Sequence, residues 1–135
     1  MPVCMSILIE MNPFIHQGNK YYPSIELNAQ KGSISFEGMS IPTNADEFFD
    51  PIIRWIIAYS DKPQPKTHVR FEFDYFSTST IKKLWTILKV LAELKEKNNS
   101  ELCIDWFFEK EDDRMMETGE EFEELSGLSF NKIAR

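Results

Sequence analysis

Cysteine is scarce in this chain. Cys4 and Cys103 are the only two and no CxxC pair occurs, so neither a disulfide framework nor a zinc knuckle is indicated and a reducing, cytoplasmic setting fits best. Long apolar runs are also lacking. The stretch at residues 52–59 is interrupted by Arg54 and falls well short of the roughly 20 residues a membrane span requires. The apolar run at residues 7–9 has no basic flank, long apolar region or small-residue cleavage site, so no signal peptide is expected. Positive charge is in deficit: 15 Lys plus Arg against 22 Asp plus Glu give a net charge of -7. That is the wrong sign for a protein that grips phosphate backbones, so nucleic acid is not an expected partner. The recurrent catalytic signatures are missing too, with no G-x-G-x-x-G, Walker P-loop, H-E-x-x-H or G-x-S-x-G. The chain is therefore not expected to be an enzyme, to bind ATP or to carry a cofactor. His16 and His68 have no carboxylate, Cys or Ser partner at a motif spacing, so surface or packing roles are expected of them, and no metal ligands.

What is present is a core-forming composition. Apolar residues make up 42% of the 135 and aromatic residues 13%, including eleven Phe, which is enough for one packed domain. Residues 1–20 read as an N-terminal arm able to contribute a strand, and residues 21–135 as a single domain. Ser24, Ile25, Glu26 and Leu27 alternate, residues 28–32 turn, and Ile34, Ser35, Phe36 and Glu37 alternate again, which predicts a β-hairpin. Thr43 and Asn44, followed by Asp46 and Glu47, announce a helix. Pro51 predicts either a short turn ending near Asp50 with a new helix starting at Pro51, the favoured reading, or one helix kinked there. Ile52, Ile53, Trp55, Ile56, Ile57 and Tyr59 cover most of that helix, which predicts burial on more than one side.

Val69, Phe71, Phe73 and Tyr75 alternate with charged residues and form the clearest strand. Ile81, Leu84, Trp85, Leu88, Leu91 and Ala92 recur at spacings of three and four and form the clearest helix, ended by Asn98 and Asn99. Residues 102–108 return to strand character, residues 114–125 read as an acidic helix, and a short apolar piece closes at residues 128–130. The order β-β-α-β-α-β-α predicts a small α/β sandwich with a mixed sheet. The strands before and after the long helix are expected to be parallel neighbours joined by a crossover.

Chemistry concentrates at Ser77, Thr78, Ser79 and Thr80, between the best strand and the best helix. A helix N-cap needs one such hydroxyl, or two, but not four. Another use is a phosphorylation switch, because a phosphate at a helix N-terminus meets free amides and a favourable dipole. Residues 105–124 hold ten acidic residues against Lys110 and Arg114. A calcium loop starting at Asp105 would meet Phe107, Lys110 and Met116 where it needs an oxygen ligand, Gly and Glu. A solvated helix face or a contact surface for a basic partner accounts for the run instead.

Three ordered blocks resemble the SiaC family of bacterial regulatory phosphoproteins. Gly38, Ser40, Pro42, Asn44, Phe49, Pro51, Trp55 and Tyr59 are similar to the family's G-E-S-Y-P-E-N, then F-x-P-x-x-x-W and a later Tyr, with departures at Met39, Ile41 and Thr43. Residues 71–82, FEFDYFSTSTIK, resemble a strand ending in Y-F/L-N-T-S-S before a helix, with Ser77 in place of Asn and Thr80 in place of the second Ser. Residues 104–125 resemble W-Y-Y, an acidic run and E-x-G-E-D-F. The resemblance implies a fold like the STAS domains and a switch in place of an enzyme. It implies Thr78 as the residue phosphorylated by a partner Ser/Thr protein kinase and released by a PP2C-type phosphatase. The unphosphorylated form would bind and activate a diguanylate cyclase or other effector, with Ser77, Ser79 and Thr80 as secondary acceptors or partner contacts. An unregulated structural adaptor of the same fold is the competing reading.

Overall fold

The computed structural model describes residues 12–97 and 100–135. Cys4, the apolar run at residues 7–9, and the helix-ending Asn98 and Asn99 lie outside the described residues. Six strands form one mixed sheet: β1 (Phe14–His16), β2 (Ser24–Asn28), β3 (Ser33–Ser40), β4 (Lys66–Phe76), β5 (Glu101–Phe108) and β6 (Phe130–Ala134). They lie side by side in chain order, β1 to β3 antiparallel and β3 to β6 parallel. Helices α1 (Ala45–Asp61), α2 (Thr78–Glu96) and α3 (Asp113–Ser126) make the three crossovers between the parallel strands. This is a single mixed α/β domain, as the alternation of patterns predicts. Two strands extend the expected order. β1 pairs with β2, and β6 pairs with β5 beyond the acidic helix. β6 escapes a pattern search because it is a short outermost strand whose Asn131 and Lys132 face solvent.

Period-2 alternation divides the sheet into two unlike faces. Ile25, Leu27, Ile34, Phe36, Val69, Phe71, Phe73, Ile104 and Trp106 are buried in the core with the helices. An aromatic row crosses it, with ring centroids 5.4 Å apart for Phe36 and Phe71, 5.7 Å for Phe71 and Trp106, and 6.0 Å for Trp106 and Phe130. Each such pair adds about 0.5–1.5 kcal/mol beyond its area burial. The opposite face is open and polar, and one register row places Ser35, Arg70, Asp105 and Asn131 side by side.

Two expectations for α1 are corrected. The helix runs unbroken from Ala45 through Pro51 to Asp61, capped by Asn44, whose side chain accepts from Glu47 N. Proline removes one helical donor, yet Phe49, Ile52, Ile53, Ile56 and Tyr59 form one buried stripe on both sides of it, and that burial outweighs the missing bond. Nor is the helix buried on several sides, because Arg54 and Ala58 are exposed and Ile57 is 47% exposed.

Candidate functional site

The β4–α2 junction is built from β4 and β3 together. Gly38 takes φ 103° at a bulge between Gly38 and Met39. This is a left-handed backbone that favours glycine, and the bulge re-registers β3 so that Ser40 pairs with Phe76 at the end of β4. The Ser40 carbonyl then accepts from Ser77 N at 2.9 Å. Ser77, with φ -80° and ψ 169°, is the N-cap of α2, and its Oγ accepts from Thr80 N at 3.4 Å.

The four hydroxyls therefore have different fates. Thr80 is fully buried, its Oγ1 2.8 Å from Ser40 Oγ and donating to Ser40 O at 3.1 Å. Ser77 is half-buried and caps the helix, with its Oγ 2.9 Å from Ser79 Oγ and 3.2 Å from Thr80 Oγ1. Ser79 is exposed but engaged with Ser77. Thr78 is exposed, and its hydroxyl makes no hydrogen bond among the described residues.

Two clefts flank this junction. On one side, Thr78 lines a cleft of about 230 Å³ with Tyr75, Ile81, Asp112, Arg114 and Thr118. On the other, Ser79 lines a cleft of about 580 Å³ with Thr43, Asn44, Asp46, Lys82 and Lys83. Lys83 bridges α2 to α1 by pairing with Asp46 and Asp50. The hydrogen bond to Asp46 raises the Lys83 pKa, and the same bond lowers that of Asp46. Lys82 is exposed.

The acidic segment ends as α3, whose Asp112 cap accepts from Met115 N at 3.0 Å. Met115, Gly119 and Phe122 are buried, while Asp113, Arg114, Glu117, Glu120, Glu121 and Glu124 are exposed. Sequence reasoning did not bring Arg114 to Thr78, because that proximity depends on how α3 packs beside α2. Nor did it find a partner for His68, and the structure supplies one: His68 Nε2 lies 2.7 Å from Asp105 Oδ2, across adjacent strands. His16 packs as expected, with Nδ1 3.1 Å from Pro23 O and its ring edge-on to Phe48.

No helix among the described residues is long and apolar enough to cross a membrane. The chain is similar to SiaC of Pseudomonas aeruginosa, solved in complex with the diguanylate cyclase SiaD as its activator. It is 27% identical, with a TM-score of 0.84 over 90% of this chain and 99% of that one. A separate structure of SiaC from the same organism is 27% identical with a TM-score of 0.80, over 92% of this chain and 99% of that one. An uncharacterized protein of Pseudomonas aeruginosa (strain UCBPP-PA14) is 29% identical over 84% of this chain and 89% of its own length. The model of the SiaC family of regulatory phosphoproteins matches residues 16–135, and the chain belongs to that family.

Proposed function

We propose that this chain is a phosphorylation-controlled protein-interaction switch, with no catalysis of its own, and that Thr78 is its acceptor. A Ser/Thr protein kinase adds the phosphate and a PP2C-type phosphatase removes it. The unphosphorylated form binds and activates an effector, and a diguanylate cyclase is the class suggested by the complex of SiaC with SiaD.

One observation carries the choice of acceptor. Of the four hydroxyls, Thr78 alone is both exposed and without a hydrogen bond among the described residues. A kinase needs an oxygen it can reach and deprotonate. Modifying Thr80 would require the buried bonds to Ser40 to open, and modifying Ser77 would disrupt the cap. A phosphate on Thr78 brings about two negative charges to the first turn of a helix, where unpaired amides and the dipole favour it. Arg114, in the same cleft, supplies a cation. The resulting surface differs in charge and shape from the one an effector meets on the unmodified protein.

Incubation with the partner kinase and ATP, followed by mapping of the phosphate by mass spectrometry, tests this reading. Phosphate on Thr78, lost in Thr78→Ala with an unchanged melting curve, is the expected result. Incorporation that persists in Thr78→Ala and disappears in Ser77→Ala or Ser79→Ala contradicts the assignment, and no incorporation at all favours the adaptor.

A further inference from the structure

The open face of the sheet carries a second cluster, remote in kind from the hydroxyl run. His68 on β4 and Cys103 on β5 are register partners, and Asp105 lies two residues further along β5. All three therefore project from the same face. The His68 nitrogen, the Cys103 sulfur and an Asp105 carboxylate oxygen lie within 4.8 Å of one another. We propose that His68, Cys103 and Asp105 form a three-ligand site for a divalent transition-metal ion of the zinc class.

The donor set decides the class of ion. A thiolate, an imidazole and a carboxylate together suit a borderline-soft ion, whereas calcium and magnesium select all-oxygen sets. Bonds of about 2.0–2.3 Å in a tetrahedral shell put donors about 3.5 Å apart, so side-chain rotations that open the 2.7 Å His68–Asp105 pair and draw in the wider spacings, none above 4.8 Å, would admit the ion. Three protein ligands leave the fourth position to water or to a group from a partner.

The surroundings are arranged as such a site requires. Asn131, from β6, donates to Asp105 Oδ1 at 3.0 Å and approaches Cys103 Sγ at 3.6 Å, so one amide orients two of the three ligands. Arg70 is the neighbouring cation on this face, and it is held by Glu72 and lies 4.6 Å from the Phe107 ring centre. That leaves the Asp105 carboxylate to His68 and Asn131. His68 is exposed and Cys103 half-buried, so an ion reaches them from solvent.

Titration of the metal-stripped full chain with Co²⁺, in a Cys4→Ser background that leaves Cys103 as the only thiol, is the test. The expected result is saturable binding of one equivalent with thiolate-to-cobalt charge-transfer absorption that Zn²⁺ displaces. Cys103→Ser should abolish the absorption, His68→Ala and Asp105→Asn should each weaken binding at least tenfold, and Asn131→Ala about tenfold. Alkylating Cys103 in the folded protein repeats the test without a substitution. No charge-transfer absorption on saturation, or equal affinity in His68→Ala and Asp105→Asn, overturns the proposal.

Discussion

The hydroxyls of Ser40 and Thr80 meet 2.8 Å apart in a fully buried contact between residues forty positions apart in sequence. The contact fastens the end of β3 to the first turn of α2, and so fixes the platform from which Thr78 projects. Thr80→Val keeps the shape but removes one of the two donors to Ser40 O, which retains Ser77 N, and leaves the buried Ser40 hydroxyl without its Thr80 acceptor. The expected cost is about 1–3 kcal/mol in urea unfolding. Ser40→Ala with Thr80→Val should cost less than the sum of the single changes, because the two groups share one interaction.

Phosphate mapping on Thr80→Val should give an unchanged acceptor, since Thr80 Oγ1 is inaccessible in the folded chain. Phosphate moving away from residue 78 in that variant would assign Thr80 a part in the transfer itself.

Gly119 is fixed by Trp106. A Cβ at 119 would stand 2.5 Å from the indole, and the indole N–H donates to Met115 O at 3.0 Å, so the ring has little room to retreat. Gly→Ala in a helix ordinarily gains up to about 1 kcal/mol. Here overpacking should reverse the sign, with a net loss of about 1–2 kcal/mol seen as a lower Tm.

Much of this arrangement is legible in the sequence because it is local. Val69, Phe71 and Phe73 alternate, and Leu84, Leu88 and Leu91 recur at helical spacing, and both patterns survive into buried faces. The four consecutive hydroxyls likewise mark a helix start. What the chain does not reveal locally is how partners meet across the sheet. Thr80 looks like its neighbours until Ser40 arrives from β3, and His68 looks solitary until the β4–β5 register sets it beside Cys103 and Asp105. Pro51 misleads for a related reason, because the backbone penalty is local whereas the burial that offsets it comes from the whole core.

Glu123 gives a pH-dependent contribution. Its carboxylate accepts from Lys132 and from Phe130 N, which holds its pKa below the ordinary value despite partial burial. A depressed folded-state pKa stabilises above the unfolded value, near 4.3, and that stabilisation is lost as pH falls through the folded value. Glu123→Gln should therefore be less stable than the parent by about 0.5–1 kcal/mol at neutral pH. The difference should shrink as the pH is lowered below about 4. A gap that widens in acid would contradict the assignment.

The most direct test of the switch is a titration of the unphosphorylated and the genuinely Thr78-phosphorylated protein against the diguanylate cyclase proposed as its effector. Glutamate at 78 is a poor substitute, since a carboxylate has less charge and fewer acceptor oxygens than phosphate. If phosphate disrupts the contact surface by about 3 kcal/mol, the modified form should bind about two orders of magnitude more weakly, with its circular dichroism unchanged. Equal affinities for the two forms would contradict the account.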